Sequence, residues 1–351
     1  NHEATTDEKL SSFFLHANGG TSTLPRPASE VDKELAIHGV SVVEMRKTAG
    51  KWAYVQDSAF NFRITTLTDI DLSGPARGNA LMVTKYSTDG TRTRGTLNNR
   101  GNDKSVTALK RYGRPQGAAS RHGWETGGAD DKYLRWNNSK TGASANGSDD
   151  YRNEMNGMGY IVEMDPYKPT SRMVKRTGLG RFAHESAAFS LPKAGEKLAV
   201  YMGDDARNEY IYKFVSDTAW SAADANPSDR LATGAKYLDS GKLYVAKFAA
   251  DGTGQWIELN KAAIPSTYTA YAFADEADIR VNCRLAADAV GATKMDRPEW
   301  CATHPTNGEI YFTLTNNSNR RVAPTTGSAT QLQPDSANPR AYTDMKGTTA
   351  Q

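Results

Sequence analysis

Cysteine is nearly absent from the 351 residues: Cys283 and Cys301 are the only two. That excludes a disulfide-built scaffold, and leaves open one bridge if the two lie close or a pair of half-buried thiols. No apolar run approaches the roughly 20 residues that a membrane-spanning helix requires. An excess of charge of one sign is also lacking. Lys plus Arg number 43 against 40 Asp plus Glu, a formal net charge of +3, too balanced for a generic nucleic-acid binder. The glycine-rich stretch LSGPARGNA (72–80) holds Arg77, a residue that could meet an anion, but lacks the Gly-Lys-Ser/Thr ending of a phosphate-cradling loop. A turn before a strand at 81–85 is the expectation there. No signal peptide opens the chain, which begins inside what reads as a motif, Asn1-His2-Glu3, and is expected to be a fragment.

What is present is turn-rich: 30 Gly, 14 Pro and 16 Tyr in a chain that is 38% hydrophobic suggest a large soluble β protein. The chain is organised around two stretches. One is GLGRFAHESAAFSLPKAGEKLAVYMGDDARNEYIYKFV (178–215) and the other DRPEWCATHPTNGEIYFTLTNN (296–317). Each carries a glutamate, then Pro-x-x-Gly-Glu, then an apolar run ending in a polar pair, Asp204-Asp205 or Asn316-Asn317. Proline fixes φ at one corner and glycine accepts positive φ at the other, so each segment predicts a tight turn between two strands. Glu185 and Glu299 then fall near the start of the strand entering each turn, at equivalent places in two structural repeats. Short antiparallel repeats suggest a radial β-architecture whose first strands line a channel, where converging glutamates can bind hard metal ions.

Elsewhere, residues 1–30 read as a loop with at most one short helix at 6–15. GVSVVEM, a Gly50-Lys51 turn and WAYVQD predict a hairpin, with a third strand at 62–67. Asp89-Gly90 is a turn into TRTRGTL. Residues 100–150 are irregular and predict a surface insertion, with a short helix at 105–112 and with His122 and Trp124 on a solvated loop. GYIVEMD (159–165) returns to strand character. Runs at 198–202, 210–215 and 243–248 are spaced like a four-stranded blade, a further short strand closes at Glu258, and 279–289 is partly helical. Beyond Asn317 the chain turns polar without a closing strand.

The segments GRFAHE, YMGDDARNEYIYKF, ATKMDRPEW and HPTNGEIYFTLTNN, with NHE, HGVSVVEM and LSGPARG upstream, resemble the PhoX-type bacterial alkaline phosphatases over essentially the whole chain. The resemblance implies an all-β fold, a six-bladed β-propeller of which residues 1–351 are a single incomplete domain with loop and short-helix insertions. It also implies a phosphomonoesterase acting on small-molecule phosphate esters. Its centre would hold Fe3+ and Ca2+, and the protein would be exported by the twin-arginine route to the periplasm or the outside. Carried over residue by residue, Glu3, Glu185 and Glu299 match metal-binding carboxylates, Asn1 matches more weakly, and Arg297 matches the arginine that holds the substrate phosphate. Carboxylate oxygens are hard ligands suited to both ions, and a guanidinium can grip two phosphate oxygens at once. Asp204 and Asp205 stay open between calcium ligands and ties between strands through Arg207. His184 and His304 are expected to be structural.

One departure stands out. After Gly95-Thr96-Leu97-Asn98-Asn99 the family continues with a Thr-Pro-Trp-Gly-Thr segment and a cysteine followed by two glutamates, the cysteine an iron ligand. Here Asn99 runs into Arg100-Gly101-Asn102-Asp103-Lys104, and neither Cys283 nor Cys301 matches that thiolate. Either those residues lie outside this sequence, the preferred reading, or the usual iron pair cannot assemble. Two other functions compete with the phosphatase: a calcium-dependent propeller lactonase-like hydrolase, and a non-catalytic binding module whose metal is structural. Neither a nucleic-acid nor a membrane partner is expected, and the oligomeric state is left open.

Overall fold

Both Pro-x-x-Gly-Glu segments form the turns their chemistry dictates. In the computed structural model, which describes residues 23–96, 116–120, 122–335 and 337–338 and the backbone of 342–343 and 349–350, Gly195 has φ +84° and Gly308 φ +78°. Asn1, Glu3, the helices expected at 6–15 and 105–112 and the Asn99-Arg100 junction lie outside the described residues.

In chain order the strands are β1 (Gly39–Val42), β2 (Met45–Thr48), β3 (Lys51–Tyr54), β4 (Phe62–Thr65), β5 (Asp69–Ser73), β6 (Arg92–Arg94), β7 (Ile161–Glu163) and β8 (Met173–Arg176). They continue as β9 (His184–Phe189), β10 (Lys197–Asp204), β11 (Ile211–Ala219), β12 (Gly241–Phe248), β13 (Gly254–Glu258), β14 (Pro298–Thr303), β15 (Ile310–Leu314), β16 (Tyr342–Thr343) and β17 (Thr349–Ala350). Five short α-helices are interspersed among the described residues: α1 (Ala28–Ile37), α2 (Asp131–Leu134), α3 (Arg230–Leu238), α4 (Glu276–Val281) and α5 (Cys283–Ala289). The architecture is mostly β, in separate sheets. No closed barrel forms among the described residues.

The largest sheet is a five-stranded antiparallel meander in the order β13-β12-β11-β10-β9. Alternate residues of β10 to β12 point to one face and are buried there: Val200, Met202, Tyr212, Phe214, Leu243 and Val245 are each at most 1% exposed. Each such side chain contributes about 1.5–3 kcal/mol of burial. Ile279, Cys283, Ala286 and Ala287 from α4 and α5 belong to the same core, so the 279–289 segment is helical because it covers this face. The three predicted runs therefore pair as neighbouring strands, and β13 on one edge and β9 on the other make the sheet five-stranded rather than four-stranded.

A second sheet, in the order β6-β5-β8-β7, includes a parallel pairing of β5 with β8. A third core gathers Val31 and Leu35 of α1 with Trp124, Tyr133, Trp136, Met155 and Met158. Three expectations change here. Trp124 is not on a solvated loop: it is 1% exposed and its indole N–H donates to Glu34 at 2.5 Å, while His122 stacks on its ring. Apolar bulk outweighs the polar composition around it. Residues 80–82 form a 3-10 turn rather than the start of a strand, because the Asn79 side chain caps the Leu81 N–H. The hairpin of β2 and β3 turns at Ala49-Gly50, both with positive φ (+48° and +81°), while β1 pairs with β4. Two left-handed residues match the twist of a two-residue hairpin. No helix among the described residues is long and apolar enough to cross a membrane.

Candidate active site

The strand carrying Glu299 lies along the strand carrying Glu185. β9 and β14 belong to different sheets, yet side chains stitch them together. The Cys301 N–H donates to Ser186 Oγ at 2.7 Å, Ser186 Oγ lies 3.2 Å from the Glu299 carbonyl, and Thr303 Oγ1 donates to the Phe189 carbonyl at 2.6 Å. Gly203 makes the approach possible: a Cβ there would stand 2.5 Å from the Pro298 carbonyl oxygen and 2.7 Å from that of Glu299. Glu185 is the second residue of β9 and Glu299 the second of β14, the equivalence that the two turns implied.

Asp204 ends β10 opposite His184 at the start of β9, so this end of the sheet also gathers the aspartate pair. The pair is divided. Asp204 is fully buried and takes a bidentate ion pair from Arg284, whose Nε donates to Oδ2 at 2.7 Å and whose Nη2 donates to Oδ1. Asp205 instead faces Arg297, whose Nη2 is 2.9 Å from Oδ1 and 3.1 Å from Oδ2. The same Nη2 is 3.1 Å from Glu299 Oε1, and Thr315 Oγ1 donates to that carboxylate at 2.6 Å. Neither aspartate is tied through Arg207, which contributes a backbone bridge to Asp296.

Arg297 is the turning point of the site. Its φ of +51° is left-handed, costing a non-glycine residue about 1–3 kcal/mol, and such strain concentrates at functional positions. The surroundings enforce it. The Asn208 N–H donates to the Met295 carbonyl at 3.0 Å and the Thr315 N–H to the Asp296 carbonyl at 2.9 Å. The Asp296 carboxylate accepts from Asn317 Nδ2 at 2.6 Å and Arg320 Nε at 2.9 Å. The guanidinium keeps about a quarter of its side-chain surface in solvent, whereas Asp205 keeps 4%. Burial pushes the Asp205 carboxyl above its ordinary range, Arg297 opposes the rise, and the neighbouring Glu299 carboxylate adds to it.

His184 is structural, as expected. Its ring stacks on Phe182 with centroids 3.7 Å apart, Nε2 donates to the Gly180 carbonyl at 3.0 Å, and burial pulls its pKa down to about 4. His304 Nδ1 accepts from the Thr306 and Asn307 N–H groups and so caps its turn. The two cysteines form no bridge; both are buried free thiols.

Glu185, Glu299 and Asp205 offer the hard oxygens that calcium or ferric iron prefers. In number they fall short: among the described residues no three acidic, histidine or cysteine side chains cluster closely enough to hold an ion. These residues fit as part of a coordination shell and not as a complete one. Thr315 and Arg284 were invisible as site residues in the sequence. Thr315 directly precedes the Asn316-Asn317 pair that echoes Asp204-Asp205, which is the signal that could have found it; Arg284 has none.

The family model for alkaline phosphatase PhoX matches residues 1–348. The chain belongs to the PhoX alkaline phosphatase family. A solved structure, Pseudomonas fluorescens PhoX in complex with vanadate, a transition state analogue, is 35% identical and superposes with a TM-score of 0.73. The alignment covers 95% of this chain and 57% of that one, so this chain spans somewhat over half the length of its PhoX relative. No curated protein matches the chain.

Proposed function

We propose that this chain forms the larger part of a metal-dependent alkaline phosphatase, a phosphoric monoester hydrolase with the family's β-propeller architecture. The meander β9–β13 and the hairpin β14–β15 are read as consecutive blades, each entered by the strand that carries a site glutamate. The observation that carries the reading is Arg297, held in a strained backbone conformation with its guanidinium half-committed to Asp205 and Glu299 and a quarter open to solvent.

In this reading Arg297 binds the phosphoryl oxygens and offsets their charge, while Asp205 and Glu299 orient its planar fork. Glu185 and Glu299, with Glu3 and more weakly Asn1, would hold Ca2+ and Fe3+; Asp204 is assigned to the fold through Arg284 instead. When bound, such ions supply further charge neutralisation and an activated oxygen nucleophile. The vanadate bound to the solved relative is the kind of ligand such an arginine would grip. Export by the twin-arginine route belongs to the same proposal.

The test is release of p-nitrophenol from p-nitrophenyl phosphate by the full-length protein, abolished by chelation and restored by calcium. Glu185→Gln and Glu299→Gln should each lower the bound metal measured by mass spectrometry while leaving the far-ultraviolet circular dichroism intact. No phosphate release from the fully metallated protein would overturn the reading. Lactone turnover in its place would favour the lactonase-like hydrolase, and a calcium-dependent rise in melting temperature without turnover would favour the binding module.

A further inference from the structure

The glycine-rich stretch that the sequence singled out at 72–80 lines a cavity that the Arg297 site does not use. One face of the β5-β6-β8 sheet and helix α3 form an open cleft of about 460 Å3, within the range of about 300–1,000 Å3 typical of small-molecule clefts. Asp71 and Arg92 are directly paired across β5 and β6, and Ser73 and Arg176 across β5 and β8, so these side chains rise on the same face as the cleft. Arg77 reaches in from the turn after β5, and Arg172 from the residue before β8.

Four arginines therefore meet one lining carboxylate, but they are not equivalent. Arg176 is buried and fully engaged: it donates to Glu163 at 2.7 Å, to Asp239 at 3.1 Å and to the Leu231 carbonyl at 2.6 Å. Arg172 is paired with Asp71 at 2.9 Å. Arg77 and Arg92 are exposed and have no carboxylate within ion-pair distance among the described residues. Arg77 makes only a 3.5 Å approach to the Thr91 carbonyl, and Arg92 lies 6.0 Å over the Tyr86 ring. Two uncompensated guanidinium groups, beside a third that pairs with Asp71, suit an oxyanion. A planar fork matches two oxygens of a tetrahedral group, and two forks match its double charge.

We propose that this cleft is a second, non-catalytic site for a phosphate-class dianion, either free inorganic phosphate or the phosphoryl end of an ester. It shares no residue with the Arg297 site and does not depend on that site's chemistry.

Calorimetric titration with inorganic phosphate on the full-length protein tests it. In Arg297→Gln, which removes the guanidinium of the candidate active site, one phosphate-binding event should remain and should weaken as sodium chloride is raised. Adding Arg77→Gln and Arg92→Gln should weaken that event at least tenfold with the melting temperature unchanged, since both side chains are exposed and lack carboxylate partners. Phenylphosphonate, which cannot be hydrolysed as an ester, separates the sources: tighter binding than phosphate names an ester, weaker binding names the free ion. Absence of phosphate binding in Arg297→Gln, or binding that ignores both salt and the double substitution, would overturn the proposal.

Discussion

Arg297 Nη2 stands 2.9 Å from Asp205 Oδ1, a contact made across 92 residues of chain. The distance in sequence matters because Asp205 directly follows β10 of one sheet and Arg297 directly precedes β14 of another, so the pair reports whether the two sheets are correctly docked. Arg297→Lys keeps the charge but loses the fork, and kcat/KM for an aryl phosphate should fall by about 10²–10³-fold, as for loss of a preorganised donor. Asp205→Asn keeps the shape but loosens the grip, with an expected loss of about tenfold, or ~1.4 kcal/mol. Steady-state kinetics on both variants check the order; equal and negligible effects would remove Arg297 from the site.

Gly203→Ala tests the docking from behind. The added Cβ would meet two carbonyl oxygens of the Glu299 strand at 2.5 and 2.7 Å, and backbone cannot step aside as a side chain can. A destabilisation of about 1–3 kcal/mol is expected, the usual range for overpacking, together with lower activity at full folding. Urea unfolding and turnover measured on the same sample separate the two.

Asp204 should behave as part of the fold. Its bidentate partner Arg284 is buried with it, and breaking such a pair costs at most about 3–5 kcal/mol, since Glu209 stays 3.6 Å from the Arg284 Nε. Asp204→Asn should therefore lower the unfolding free energy extrapolated from urea denaturation by up to that amount while leaving bound calcium unchanged. Calcium loss without destabilisation would reassign it as a ligand.

Lys175 gives the chain an alkaline signature. Its ammonium is buried on β8 against two backbone carbonyls, those of Gly95 at 2.8 Å and Gly157 at 2.7 Å. Burial, with Arg135 nearby, pulls its pKa down to about 7 from an ordinary 10.5. Between those values the unfolded chain holds the proton and the folded chain does not, so stability rises with pH from about 7 to 10.5, on the order of a few kcal/mol. Below pH 7 both states are charged and the gain is absent. Lys175→Met should flatten that rise in denaturation experiments across the window; an unchanged slope would contradict it.

The parts of this structure that were legible in the sequence are those fixed locally. Pro192 to Glu196 and Pro305 to Glu309 dictate their turns, which place the flanking strands, and Glu185 and Glu299 are each the second residue of the strand entering the turn. What was not legible depends on contacts between distant segments. Trp124 reads as a loop residue because its neighbours are polar, and only the arrival of α1, some 90 residues earlier, buries it. Residues 81–85 carry strand-like side chains, but a one-residue cap from Asn79 redirects the backbone. Arg284 sits in an ordinary helical pattern, and nothing in that pattern announces that an aspartate 80 residues away needs it.

The matching positions of Glu185 and Glu299 also limit how the gene can change. Along a strand successive side chains alternate sides, so inserting or deleting a single residue between a glutamate and its turn would swing that carboxylate to the opposite side of the sheet unless a bulge absorbs it. Irregular registers beside both glutamates accompany the one-residue difference between their own spacings, seven residues from Glu185 to Pro192 and six from Glu299 to Pro305. Lengthening the turns themselves would leave both where they are. Natural variants of this chain should thus tolerate indels at 192–196 and 305–309 more readily than in the short runs that lead into them, where a bulge must accompany each change.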